Sequence, residues 1–307
     1  MIDVILLVVG FSLLFISGRY LVTGGVELAK FFKIPTLVVG LTIVSFGTSA
    51  PELLVSLKAA LSGHPDIALG NVVGSNISNI ALVLGITAII CPIPVVKKLI
   101  QFDWPVMMLI SVLLFVFALS GTLNLWNGII LLAILVYFNI QSVRTGRNSN
   151  EPTDTIKIQW YYALLIIAAS SVGLIFGAEW LVKGASGIAR NMGVDERIIS
   201  VSIIAFGTSV PELATSTVAA IKRQTDISIG NIIGSNIFNV AGILGITAVT
   251  EPIPVNQKIL NSDMLWMLGI SLLLFVLMLG KSKKISRLNG GILLTSYALF
   301  VYFLLSN

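Results

Sequence analysis

Charge is what this sequence has least of: only 11% of its 307 residues are Asp, Glu, Lys or Arg. A soluble domain usually carries about 25% charged residues. So few would leave a water-exposed surface without polar cover, which excludes a soluble enzyme or binding module and makes the chain an integral membrane protein. Cysteine occurs once, at Cys91, excluding a disulfide framework and any cysteine zinc site. Cys91 reads as a small buried residue near a helix end. Histidine also occurs once, at His64 in a loop. With no His, Cys or Ser-Lys constellation and no nucleotide-binding loop, neither an enzyme nor an ATP-driven pump is expected, and no cofactor. The net charge of +5 is not a nucleic-acid footprint, because the basic residues sit in short loops between apolar runs.

Those apolar runs are abundant, and 56% of the residues are hydrophobic. Stretches of about 18–25 residues between polar breaks predict ten membrane-crossing helices. They lie near 2–22, 35–61, 68–90, 103–120, 125–143, 160–181, 196–220, 228–250, 263–280 and 288–305. Helix is required because isolated strands leave backbone groups unpaired in lipid. Residues 1–17 have no cation before them and recur in kind at 161–177, so they are expected to be a span and not a leader. Of the 19 Lys and Arg, only Lys58, Lys183, Arg190, Arg197 and Lys258 fall in the even-numbered loops. The other fourteen mark the cytoplasmic side, which places both termini outside and the short polar connector 141–158 inside.

Shifting the chain by 160 residues aligns it with itself. Over 41–95 against 201–255 there are 30 identities in 55 positions, without a gap. FGTSAPEL (46–53) faces FGTSVPEL (206–213), and GNVVGSNISN (70–79) faces GNIIGSNIFN (230–239). Five spans are an odd number, so the second copy must sit upside down. The expected fold is all-α and polytopic: two inverted five-helix repeats, 1–140 and 159–307, with a substrate site between them at mid-membrane.

Glu52 and Glu212 fall inside apolar spans, where an ionised group costs roughly 2.5–3.5 kcal/mol on insertion scales and so points to function. Lys58 is the nearest cation to Glu52 but lies on another helical face, and its counterpart in the second copy is Val218. Each glutamate follows a proline, Pro51 or Pro211, which removes a backbone donor and kinks helices 2 and 7 near Gly47 and Gly207. Thr48, Ser49 and Glu52 can then gather on one face. Asn71, Ser75 and Asn79 form a facing stripe, repeated as Asn231, Ser235 and Asn239, with Gly70, Gly74, Gly230 and Gly234 allowing close approach. Every candidate ligand is an oxygen, the chemistry of a hard cation such as calcium or sodium. Channels usually ring an axial pore with subunits, so an inverted pair with buried acids fits a secondary transporter better, one able to work as a monomer.

The paired GTSxPE and GNxxGSN blocks resemble the alpha repeats of the calcium/cation antiporters, most closely the prokaryotic sodium/calcium exchangers, over essentially the whole chain. The resemblance implies a plasma-membrane antiporter that exchanges calcium for sodium as its first and sixth helices slide across the core. It implies calcium on Glu52 and Glu212 with the carbonyls of Thr48 and Thr208. Sodium would use Ser49, Ser75, Ser209 and Ser235, with the carbonyls of Ser45 and Ala205. One position departs: archaeal members carry aspartate where Asn239 stands, opposite an asparagine at Asn79. Proton/calcium exchangers show an acidic GNxxE block, whereas this chain reads GNVVG and GNIIG, so proton coupling is the second reading. Asp66 and Asp226 are expected as helix caps, and Glu27 and Glu179 at the membrane interface.

Overall fold

The structure is a computed structural model that describes residues 2–147, 158–194, 205–280 and 282–306. Most of the 141–158 connector and the predicted helix start at 196–204 lie outside the described residues. The first half comprises α1 (Ile2–Phe32), α2 (Thr36–Thr48), α3 (Ala50–Leu61), α4 (Asp66–Ile90), α5 (Leu99–Ala118) and α6 (Leu125–Arg147). The second comprises α7 (Trp160–Asn191), α8 (Ala205–Gly207), α9 (Val210–Ile221), α10 (Thr225–Thr250), α11 (Ile259–Met278) and α12 (Arg287–Ser306). Among the described residues eight of these are long and apolar enough to cross a membrane, and the bent α2–α3 pair makes a ninth.

The predicted kink is a true break. α2 and α3 meet at 46°, with Ser49 outside helical geometry at φ −87° and ψ 7°. Ser209 repeats it at φ −86° and ψ 1°. Pro51 and Pro211 then sit in the first turn of α3 and α9, where a missing N–H costs nothing.

Four two-residue strands test the inversion. β1 (Ile93–Pro94) pairs antiparallel with β4 (Lys284–Ile285), and β2 (Thr122–Leu123) with β3 (Ile253–Pro254). Paired loops must share one face of the membrane, so an even number of crossings separates them. Between β1 and β4 that holds only if α8–α9 counts as a single crossing, and the β2–β3 pair imposes the same condition. Likewise Asn191 Nδ2, ending α7, donates to Asp3 Oδ2, opening α1, at 3.2 Å. That contact makes α2–α3 one crossing.

α1 and α7 run 31 and 32 residues, about ten longer than the expected spans. At 1.5 Å per residue each is roughly 46–48 Å long against about 30 Å of hydrocarbon. They pack on one another through glycines: a Cβ on Gly10 would lie 2.8 Å from Gly177 O. Their apolar cluster, which includes Leu14, Leu21, Leu174 and Ala214, is separate from a larger core around α4, α5, α10 and α11. The two long helices therefore form a layer against a central block, with α4 and α10 the most enclosed helices in it.

Two local expectations are corrected, the aspartate caps and the burial of Cys91, and the surroundings of Glu27 and Glu179 are defined. Asp66 and Asp226 are not caps: the capping positions belong to Pro65 and Gln224, and the aspartates lie in the first turn, favoured there by the helix dipole. Glu27 is buried and ion-paired with Lys30 at 3.3 Å, because α1 continues past it. Glu179 is exposed and paired with Lys183 at 2.6 Å. Cys91 is half-buried, just beyond the end of α4.

Candidate cation site

The broken helices bring the two repeated blocks into contact at the centre. Glu52 and Glu212 lie in the first turns of α3 and α9, both fully buried. Each break creates a helix N-terminus beneath a carboxylate, whose positive dipole end favours the negative charge. The two acids converge on one place: Ser49, three residues before Glu52 in the chain, is hydrogen-bonded to Glu212. Among the described residues Glu52 has no hydrogen-bond partner for either carboxylate oxygen, and Glu212 has none for Oε2. Buried ionised oxygens are costly unless paired or coordinated to a cation.

Side chains from opposite repeats close around them. Ser49 Oγ donates to Glu212 Oε1 at 2.9 Å, and Ser235 Oγ donates to the same oxygen at 3.4 Å. A serine at this position ordinarily caps its own helix, but Ser49 makes no such bond and is spent across the repeats. Thr48 Oγ1 donates to Asn231 Oδ1 at 2.9 Å and lies 3.3 Å from Ser235 Oγ. Its symmetric partner Thr208 Oγ1 lies 3.4 Å from Ser75 Oγ. Ser209 is buried, and its hydroxyl has no partner among the described residues. Ser45 donates its hydroxyl to Leu41 O at 2.9 Å, while its carbonyl accepts from Thr48 Oγ1 at 3.2 Å. Ala205 is the first described residue of α8, four residues before Ser209.

Asn79 and Asn239 are fully buried at π-helical segments, Asn79–Leu84 and Phe238–Leu244, which widen α4 and α10 beside the acids. Asn239 Nδ2 donates to Asn76 Oδ1 at 3.1 Å. Asn71 is a strut as much as a lining residue, donating to Ser56 Oγ at 3.0 Å, and Asn231 repeats this to Ser216 at 3.0 Å. Sequence reasoning missed Ser56, Ser216, Asn76 and Asn236. The available signal was their identity across the 160-residue shift.

Among the described residues no cluster of three or more His, Cys, Asp or Glu forms, at this site or elsewhere. Two acids, hydroxyls and amides inside a bundle of inverted crossings define a membrane cation antiporter. A family profile described as "Sodium/calcium exchanger protein" matches residues 2–143 and 162–306, and the chain belongs to that family. It is similar to the putative antiporter CaxA of Alkalimonas amylolytica, 35% identical over 99% of this chain and 98% of that one. It is 28% identical to the sodium/calcium exchanger MaX1 of Methanosarcina acetivorans, over 98% and 97% of the two chains. Among solved structures, the sodium-calcium exchanger NCX_Mj soaked with sodium and strontium superposes with a TM-score of 0.85 at 32% identity, covering 98% of each chain.

Proposed function

We propose that this antiporter exchanges calcium for sodium across the plasma membrane. The observation that carries the reading is the pair of fully buried glutamates, three of whose four oxygens lack a hydrogen-bond partner. Two carboxylates neutralise one divalent ion, and uncharged oxygens complete the 6–8 ligands calcium takes. Calcium binds Glu52 and Glu212 with the carbonyls of Thr48 and Thr208. Sodium binds through Ser49, Ser75, Ser209 and Ser235 and the carbonyls of Ser45 and Ala205, while the amide oxygens of Asn79 and Asn239 line the central cavity that either ion occupies. Both ions are cargo. All ligands come from one chain, so the monomer suffices.

The chain crosses the membrane ten times as two inverted repeats, 1–140 and 159–307, joined by the cytoplasmic connector 141–158, with both termini outside. The strand pairings, the Asp3–Asn191 contact and the excess of cations in the odd-numbered loops support this topology. Calcium-45 uptake into proteoliposomes tests the coupling, with sodium and proton gradients imposed separately. Uptake driven by outward sodium alone is the expected result; uptake driven by a proton gradient without sodium would replace sodium coupling with proton coupling.

A further inference from the structure

Between α4 and α10 runs a chain of amides whose direction is set from one end. It starts at the backbone carbonyl of Asn236, which can only accept. Asn76 Nδ2 donates to it at 3.2 Å, so the other end of the Asn76 amide must present its acceptor, Oδ1. Asn239 Nδ2 donates to that oxygen at 3.1 Å. The nitrogen of Asn239 is thereby committed, and its Oδ1 is left buried without a partner. Asn239 stands one turn beyond Ser235, whose hydroxyl reaches Glu212.

We propose that Asn76 is a positioning residue for the cation site, holding the nitrogen of Asn239 so that its oxygen, and not its NH2, faces the ion. The two ends of an asparagine amide are nearly equal in size, so packing alone does not choose between them. Their electrostatics are opposite: the oxygen is a cation ligand, whereas the NH2 repels one. A backbone carbonyl outside the site thus sets the polarity inside it. The symmetric position lacks this device. Asn236, the counterpart of Asn76, donates instead to Ile232 O in its own helix at 2.7 Å. Asn79, the counterpart of Asn239, makes no hydrogen bond with either side-chain atom among the described residues. The relay therefore belongs to one half of the site and gives Asn239 a fixed orientation.

The inference rests on calcium being the cargo, and its test separates the two. Calcium binding is measured by calorimetry on the purified full chain in detergent, for Asn76→Ala and Asn76→Ser. Each is made in the native background and together with Asn239→Asp. In the native background both variants should bind calcium about tenfold more weakly, the scale of one net hydrogen bond. With aspartate at 239, either side-chain oxygen presents an acceptor and nothing remains to be oriented, so the same changes should leave affinity within about twofold of the Asn239→Asp parent. Equal losses in both backgrounds would assign Asn76 a packing role and overturn the proposal, as would unchanged affinity in the native background. Absence of calcium binding by the unmutated chain would instead refute the calcium reading and remove the ground for the relay. Thermal unfolding of each variant checks that the fold is retained, and the serine variant keeps the test available should the alanine variant fail to fold.

Discussion

Ser49 and Ser209 are twins in sequence but not in structure, and removing their hydroxyls should expose the difference. Ser49 Oγ donates to Glu212 Oε1 at 2.9 Å inside the bundle. A hydrogen bond to a charged group contributes about 1.5–3 kcal/mol, and Ser49→Ala should destabilise the cation-free protein by that amount. Ser209 Oγ has no partner, so Ser209→Ala removes no such bond and should stay within about 0.5 kcal/mol of the parent. The assay is denaturant or thermal unfolding in detergent, first with choline as the only cation and then with saturating sodium. Sodium should stabilise the parent, and both variants should lose part of that stabilisation because both hydroxyls are proposed ligands. Equal destabilisation of the two variants without sodium would refute the asymmetric pairing of the glutamates.

Glu52→Gln and Glu212→Gln should each abolish calcium binding by calorimetry while preserving the fold. At an effective dielectric of about 20, two unit charges about 4 Å apart interact by roughly 4 kcal/mol, so losing one of two charges on a divalent ion predicts at least about a thousandfold weaker binding. Near-native affinity in either variant would move the site elsewhere. Gly234→Ala would push its Cβ into the backbone of Leu41, whereas Gly74 has open space around it. The first change should sharply lower the unfolding temperature, and the second should leave it unchanged; the reverse ranking would contradict the packing. In a Cys91→Ala background, a cysteine at Ser282 should react with impermeant thiol reagents only from the cytoplasm and one at His64 only from outside. Labelling of both from one side would break the inversion.

Much of this was legible in the sequence because lipid leaves few options. Apolar runs can only be helices, and a 160-residue repeat of five spans can only invert. Glu52 and Glu212 stood out because nothing near them could neutralise them. Helix ends were less legible: α1 and α7 continue past Arg19 and Lys183, whose polarity reads as a loop although their side chains simply reach outward from helices longer than the bilayer. The π segments left no mark in the hydrophobic pattern, since a single wide turn does not change which residues are apolar. Asn76 was hidden because, beside Ser75 in the same motif, it falls off the i, i+4 stripe and acts through Asn239 alone. Asp103 also went unread. It is fully buried, with Lys98 Nζ 3.7 Å away. The pair is formed by a π turn, Leu99–Asp103, that starts the helix earlier than the apolar run does.

The unequal treatment of equal residues also has a direction. Gly230 and Gly234 pack so tightly on α2 that a Cβ on Gly230 would lie 2.7 Å from Leu37 O, and Pro211 and Asn231 beside them are buried. Their counterparts are looser: Gly70 has a single contact at 3.6 Å, Gly74 has none within 4 Å, and Pro51 and Asn71 are part-exposed. The packing is therefore looser along α3 and α4, on the side of the loop holding His64, and tighter along α9 and α10. Because 30 of 55 positions are identical between the copies, the bonds that now hold Glu212 through Ser49 have a ready equivalent holding Glu52 through Ser209. A rearrangement that loosened α9 and α10 and tightened α3 and α4 would exchange them, and the stability ranking of Ser49→Ala and Ser209→Ala would reverse in a protein trapped in that arrangement.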